Sequence, residues 1–573
     1  MQLSACLKQY TADQDKALPP SATVRRVKQA LKLCGTGILK QTRRIDTGRL
    51  GIPVYLSLCG PKAAEIMPSR KQMGKGASPE QAEASALMEL VERFSLFSYF
   101  DMSQSTAALT WSEAEHRFGS TLLPVSEILH STHEDLKPGQ AASILDLIPW
   151  QFCPALRVGD GLERYIPLNW FKLLNEYNGS SAGNTAEESL LQGACELFER
   201  HVCAEIERTR PVLPSIDPAS FQNPVLKHLR ACFAQNGIRT VIKDFSLNTG
   251  LPTVGILAFD PATFPRSSEI VFTAGTATSP EKAVIRAFTE IAQLAGDFET
   301  DSRYEPSGLG KYQELQECEW LRSGPLVPVD NLPDISHPDI HRELTTLALM
   351  LKNSGFTLYA VDTTHPELQI PATYSIIPGF SFRERTPSAC LGLFTGRILA
   401  EEAAYPRAGK GFALLDEIYP RNHFTPFFRG LVDLRHQHLD NAIKHFSRAE
   451  ALQPTSEEQA LVAFYQAYTL TRKQHWTTAR RHLDRAIHLA PNTHAYHNLR
   501  GTTHFKLKDY PTAAQDFQKA IDIDKGSAID LANLGICYKH LGQNLKAIEL
   551  LHTGLELDPG LDFARQALDE LLH

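Results

Sequence analysis

The sequence has no Cys-x-x-Cys pair, no excess of basic charge and no run of about 18 uninterrupted apolar residues. Each absence removes a class of protein. The 10 cysteines are scattered from Cys6 to Cys537, and spacing as loose as Cys195 to Cys203 gives no zinc pattern. They read as reduced thiols, and a cytoplasmic protein is expected. Without a long apolar run, no spanning helix and no membrane partner are expected. Leu3-Ser4-Ala5-Cys6 has the outline of a lipoprotein cleavage box, but the charged and apolar segments of a signal peptide are missing upstream. There are 58 Lys and Arg against 65 Asp and Glu, a net charge of −7. Phosphate backbones need a basic surface, so no nucleic-acid partner is expected. What is present is ordinary: 43% hydrophobic and 21% charged residues in a chain of 573. That composition suits a soluble globular protein of several domains.

The last part of the chain repeats. Ala467, Gly501 and Gly535 are spaced by 34 residues, as are Trp476, Tyr510 and Asn544, then Ala479, Ala513 and Ala547, then Ala486, Ala520 and Gly554. Pro491, Lys525 and Pro559 close the units, and Gly430, Ala442, Ala449 and Pro454 mark a fourth copy 37 residues ahead of the second. A 34-residue period with small residues at fixed points means helix–turn–helix repeats of the tetratricopeptide type. The small residues let paired helices approach. Phe446, Leu483, Phe517 and Leu551 fill the space beside them. The concave face of such a solenoid suits a partner protein; a dimerisation or packing module is the alternative.

Residues 1–410 have a different texture. Ile52-Pro53-Val54-Tyr55-Leu56 and Val254-Gly255-Ile256-Leu257-Ala258-Phe259 read as strands, with longer amphipathic stretches between such runs. Pro406, Gly409, Gly411, Pro420 and Pro426 crowd the region between the two halves. The expected organisation is therefore a domain over 1–410, a linker over 411–426 and about four repeats over 427–573.

Three segments in the first domain share one grammar: GKGASPEQAEASALMELVERF from Gly74, AGNTAEESLLQGACELFERH from Ala182, and TATSPEKAVIRAFTEIAQL from Thr276. Ser78, Thr185 and Ser279 are N-cap candidates, and Pro79 and Pro280 stand where a missing N–H costs nothing. Gln81 and Glu188 complete capping boxes. Polar residues then recur at steps of four, four and three: Gln81, Ser85, Glu89 and Glu92; Glu188, Gln192, Glu196 and Glu199; Lys282, Arg286, Glu290 and Gln293. Those steps put each set on one helix face. Glu89/Glu92 and Glu196/Glu199 are carboxylates one turn apart, which repel unless a positive group lies between them. Clustered carboxylates with amide and hydroxyl oxygens suit a hard divalent cation, Mg²⁺ with phosphate above all. Arg286, Lys75, Arg93 and Arg200 suit phosphate oxygens. Gly74, Gly76, Gly183 and Gly275 precede the helices, where backbone amides can approach phosphates.

At these residues the chain resembles the YcaO family over roughly residues 20–405. Three motifs carry the resemblance in order: Gly74-Lys75-Gly76 with Ser85, Glu89, Glu92 and Arg93; Gly183-Asn184-Thr185 with Glu188, Gln192, Glu196, Glu199 and Arg200; and Arg286-Ala287 with Glu290 and Gln293. Gly74-Lys75-Gly76 lacks the frame of a Walker P-loop. The resemblance implies an α+β YcaO-type ATP-binding domain followed by an all-α tetratricopeptide-repeat solenoid. It also implies ATP-dependent activation of a peptide backbone amide. A nucleophile adds to the carbonyl carbon and ATP phosphorylates the oxygen, which leaves as phosphate. A Cys, Ser or Thr side chain gives an azoline by cyclodehydration, an amine gives an amidine, and sulfide gives a thioamide.

By motif match, Ser85, Glu89, Glu92, Asn184, Glu188, Gln192, Glu196, Glu199, Arg200, Arg286, Glu290 and Gln293 surround ATP and Mg²⁺, with Lys75 beside them. Glu89, Glu92, Glu196 and Glu199 form the Mg²⁺ cage, directly or through water, while Arg200 and Arg286 hold phosphates. No residue stands out as a general base. The azoline-forming members commonly end in a proline-rich tail that contributes to the active site; this chain ends Leu571-Leu572-His573 after its repeats. The repeat-bearing tail resembles a branch that includes an accessory factor for ribosomal-protein methylthiolation. The expected partners are a peptide or protein substrate, a protein docked on the repeats and a second copy in a homodimer. A non-enzymatic accessory role is the alternative to catalysis.

Overall fold

A computed structural model describes residues 1–573 except 36, 47–48, 104–107, 267, 295–297, 299–311 and 384–388. Contacts divide the chain into two units: Met1–Pro138 with Pro149–Ala389, and Gly139–Ile148 with Cys390–His573.

The first unit contains three sheets. One has three antiparallel strands in the order Leu39–Arg44, Val54–Cys59, Lys71–Lys75. A second has five, in the order Val271–Thr276, Thr253–Phe259, Arg239–Asp244, Ser215–Ile216, Leu326–Val327, with only the last pair parallel. The third, fully antiparallel, runs Leu162–Pro167, Phe152–Arg157, Tyr359–Asp362, Ala372–Ile376, Ser180–Ala182. Of the two apolar runs read as strands, the second lies wholly within Thr253–Phe259, which is buried along its whole length, while the first becomes strand only from Val54.

The shared grammar of the three segments becomes a shared structure. Each is an edge strand, a three-residue link and a helix: Lys71–Lys75 into Pro79–Ser103, Ser180–Ala182 into Ala186–Thr209, and Val271–Thr276 into Pro280–Gln293. Each edge belongs to a different sheet. The apolar faces are buried as the spacing requires, through Leu87 and Val91, Leu190 and Leu197, and Val284, Phe288 and Ile291. Thr185 caps its helix by accepting the Glu188 N–H (3.1 Å), and Ser78 accepts the Gln81 N–H (3.2 Å). Ser279 makes no side-chain cap bond. The Glu188 carboxylate does not turn back to close a box; it accepts from the Ala17 N–H (2.8 Å) and the Asn184 amide.

The glycines before the helices also have a packing use that the sequence did not suggest. A Cβ on Gly74 would lie 2.0 Å from the Ala86 nitrogen, one on Gly183 2.5 Å from the Ser189 nitrogen, and one on Gly275 2.5 Å from the Ala287 nitrogen. Each glycine lets the strand or link that carries it lie against the backbone of the helix that follows.

The second unit is helical. The stretch expected as a linker is not one: Tyr405–Ile418 is a helix burying Ala408, Gly411, Phe412 and Leu415, and Leu391–Glu402 precedes it. The division falls between Ala389 and Cys390, not near residue 410. Pro406 sits in the first turn, where it removes no helical bond. Gly411 is a contact, since a Cβ there would reach Leu399 Cδ1 at 2.6 Å. Four helix pairs follow: Phe424–Arg435 with Leu439–Glu450, Ser456–Arg472 with Trp476–Leu489, His494–Lys506 with Tyr510–Ile523, and Ala528–His540 with Asn544–Leu557; Asp562–Leu572 ends the array.

Small against large is the packing rule within each pair. A Cβ on Gly430 would meet the Phe446 ring at 2.5 Å, on Gly501 the Phe517 ring at 2.9 Å, and on Gly535 Leu551 Cγ at 2.9 Å. The turn inside each pair repeats as well. Gln437, Gln474, Lys508 and Gly542 all take left-handed φ, between 60° and 73°. The next residue's N–H bonds five residues back, as in His438 to Asp433 and Asp509 to His504, which closes the helix end. All ten cysteines are free, and among the described residues no helix is long and apolar enough to cross a membrane.

Two outcomes follow. Gly74→Ala forces the first strand and helix apart and should cost about 3 kcal/mol or more; a melting temperature equal to that of the parent would refute this packing. In the repeats, burial pushes His423, His445 and His482 below the ordinary histidine value. A histidine lowered in the folded state stabilises above its unfolded value of about 6.5, and that stability is lost as pH falls through the folded value. Hydrogen exchange on the full chain, corrected for intrinsic rate, should therefore show weaker protection of the repeat helices at about pH 5.5 than at about pH 7.5. Equal protection would mean that the three rings are not held neutral.

Candidate functional site

The polar faces of the three helices converge. One cavity of about 330 Å³ is lined by Lys75, Ser85, Glu89 and Glu92 from the first segment, Asn184, Glu188, Gln192, Glu196, Glu199 and Arg200 from the second, and Arg286, Glu290 and Gln293 from the third. Every residue that the motif match places around ATP and Mg²⁺ lines this cavity, whereas Lys282, at the head of the third polar set, does not and pairs with Asp15 instead. The spacing put each set on a helix face; the three edge strands point those faces at one another.

The charges inside are paired, but not comfortably. Lys75 forms an ion pair with Glu290. Arg93 lies 3.4 Å from the Glu92 carboxylate and stacks over Tyr177, while Ser180 Oγ donates to Glu92 at 2.6 Å. Arg200 lies 3.6 Å from Glu196, and Glu199 accepts the Thr276 N–H at 3.0 Å. Arg286 Nη1 donates to Gln192 Oε1 at 2.7 Å.

Burial, against the pull of Arg93 and with the repulsion of Glu196 and Glu89, pushes Glu92 up to about 8. Burial also raises Glu89 against Arg93 and Lys75, and Glu199 against Arg286, Arg200 and Lys75. In the opposite sense, burial and the nearby Arg286 press the Lys75 ammonium down to about 8, despite Glu199, Glu89 and Glu196. The cavity thus disfavours charge of both signs until something of opposite sign enters.

Among the described residues, no three carboxylates already meet as ligands of one metal ion. Bare carboxylates repel, and Glu92, Glu196 and Glu199 have turned to a neighbouring hydroxyl, cation and N–H respectively. The donor set nonetheless fits a hard cation carrying phosphates. It offers desolvated carboxylate oxygens on adjacent turns of two helices. It also offers a buried Arg286 Nε that has no hydrogen-bond partner although its Nη1 does.

A second wall comes from a segment that no motif spacing marks. Gln14, Lys16, Leu18, Pro20 and Thr23 line the same cavity. Lys16 Nζ is 3.7 Å from Glu188, Thr23 Oγ1 donates to Asn184 Oδ1 at 3.0 Å, and Arg26 Nη1 donates to the Asn184 carbonyl at 2.6 Å. These residues follow no helical period, so the sequence alone held no sign of them. Arg93 lies off the carboxylate line in sequence, yet it also lines the cavity.

Comparison with known proteins agrees with this geometry. A family model described as YcaO cyclodehydratase, ATP- and Mg²⁺-binding, matches residues 73–381, and a tetratricopeptide-repeat model matches 464–528. An uncharacterized protein of Methanothermobacter thermautotrophicus is 28% identical over 381 residues, covering 64% of this chain and 94% of that one. The ribosomal protein S12 methylthiotransferase accessory factor YcaO of Escherichia coli is 26% identical over 345 residues, covering 54% of this chain and 57% of that one. A solved heterocyclase in complex with substrate and cofactor shares the fold at a TM-score of 0.52 and 20% identity, covering 67% of this chain and 54% of that chain. The chain therefore spans little more than half the length of the last two. With the family model covering more than half of its residues, the chain belongs to the YcaO family, which binds ATP and Mg²⁺, and it carries tetratricopeptide repeats in its helical unit.

Proposed function

We propose that this chain uses ATP to activate a backbone amide of a peptide or protein, phosphorylating the amide oxygen for cyclodehydration or a thioamide-forming replacement. The observation that supports this most is the convergence of three separated motifs on one cavity where buried carboxylates, Lys75 and Arg286 lack balanced charge. Glu89, Glu92, Glu196 and Glu199 would hold Mg²⁺, directly or through water. When bound, Mg²⁺ supplies positive charge to phosphate oxygens as phosphoryl transfer proceeds.

The remaining roles fall to other residues. Arg286, Arg200 and Lys75 hold phosphate oxygens, with the unpartnered Arg286 Nε as a ready donor. Ser85, Asn184, Glu188, Gln192, Glu290 and Gln293 position the nucleotide and one another. Met73, Met88 and Leu18 give the cavity an apolar stretch suited to a purine face. The repeats dock the substrate or a partner protein. A homodimer and a cytoplasmic location belong to the same reading.

The similarity to the Escherichia coli accessory factor favours a second reading, in which the nucleotide site serves another modifying enzyme recruited by the repeats. Steady release of ADP and phosphate on adding candidate peptides separates the two: the enzyme reading expects it, and tight Mg·ATP binding without turnover under any condition would sink that reading. Titration calorimetry tests the site itself. Glu89→Gln should weaken Mg²⁺-dependent nucleotide binding by about tenfold, roughly 1.4 kcal/mol, with an unchanged circular dichroism spectrum. Parent-like affinity would remove Glu89 from the metal's surroundings.

A further inference from the structure

The chain is acidic as a whole, yet residues 20–75 hold twelve Lys and Arg against only Asp46 and Glu65. The fold gathers much of this charge along one edge. Strand Leu39–Arg44 is the outer strand of the three-stranded sheet and pairs on one side only, with Val54–Cys59. Among the described residues its backbone makes no other hydrogen bond, so a row of N–H and C=O groups faces outward. The register slips at Lys40, and Lys40, Gln41, Arg43 and Arg44 are exposed.

Helix Pro20–Leu33 brings more charge of the same sign. Its Lys28 bonds Glu83 at 2.6 Å, and the same Glu83 oxygen accepts the Thr42 hydroxyl at 2.6 Å, which holds Lys28 near the middle of the strand. Arg25 and Lys32 share the helix face of Lys28 and are exposed. Asp46 holds Arg44 through two hydrogen bonds. Among the described residues, Arg25, Lys32, Lys40 and Arg43 have no ion-pair partner.

We propose that this edge docks an acidic, extended peptide segment. The segment adds a strand beside Leu39–Arg44, and its carboxylates meet the cations of the strand and the helix. Main-chain pairing supplies affinity and the carboxylates supply selectivity. Lysines and a bulge also guard an edge against self-pairing, but that guard asks for nothing on a neighbouring helix. A nucleic acid would use the same charge while leaving the strand's N–H and C=O groups unpaired. Base stacking has little support there, because Tyr55 is the sole aromatic residue between 20 and 75.

None of these cations lines the nucleotide cavity, and binding is measured without nucleotide, so failure here leaves the ATP reading intact. The probe is a fluorescein-labelled peptide of about twelve residues alternating Glu and Val, followed by anisotropy on the full chain. Binding should saturate, weaken with salt and be about tenfold tighter than that of a Lys–Val peptide. Lys40→Glu with Arg43→Glu, and separately Arg25→Glu with Lys32→Glu, should each lower affinity about tenfold while the melting temperature stays that of the parent. Two further peptides, N-methylated at every Glu or at every Val, need no protein variant; one of them should lose about tenfold, because half of the amides point at the edge. Equal binding of acidic and basic peptides overturns the proposal. So does undiminished binding of both methylated peptides, or tighter binding of oligouridylate that the same variants abolish.

Discussion

Like charges held together out of water are the constraint on which the first unit depends. Glu89, Glu92, Glu196 and Glu199 stand on two helices that face each other across one cavity. Their repulsion is offset by Arg93, Arg200 and Lys75, which sit on the same poorly hydrated surface. Burial raises Glu89, Glu92 and Glu199 and lowers Lys75, so neither sign is at ease. A metal ion with phosphates answers both needs at once, whereas either alone would leave one side unbalanced. Binding must then exchange internal pairs, such as Lys75 with Glu290, for pairs with the ligand.

Holding such a cavity open requires a frame that does not yield to the repulsion. The frame is the strand–link–helix unit used three times, each on the edge of a different sheet, with a glycine letting the helix lie against its strand. The N-terminal segment joins the three helix starts. Asp13 accepts the Ala77 N–H, the Ala17 N–H goes to Glu188, and Asp15 pairs with Lys282. A stretch of five residues therefore reaches the beginning of every helix that lines the site.

The helical unit uses the same economy of small against large. Gly430, Gly501 and Gly535 accept Phe446, Phe517 and Leu551, and Gly396 and Gly411 do the same for Phe428 and Leu399 before the repeats begin. That earlier helix pair is why the expected linker is absent. Proline and glycine mark a break only when nothing packs against them; Gly411 is buried, and packing overrides the local signal.

Much of the architecture was legible from local pattern. A 34-residue period fixes the repeats, because each unit must present the same small and large residues to its neighbours. Polar steps of four, four and three fix which residues share a helix face, because a helix turns by a constant angle per residue. Eleven of the twelve residues on those steps line the cavity, all but Lys282, and the motif resemblance adds Lys75, Asn184 and Arg200. What the pattern could not carry is distance across the chain. That three faces meet, that residues 14–23 close the wall, that Gly74, Gly183 and Gly275 serve packing, and that cations from a helix and a strand line up along one edge were decided only by how sheets and helices stack. Contacts between residues far apart in sequence have no period to reveal them.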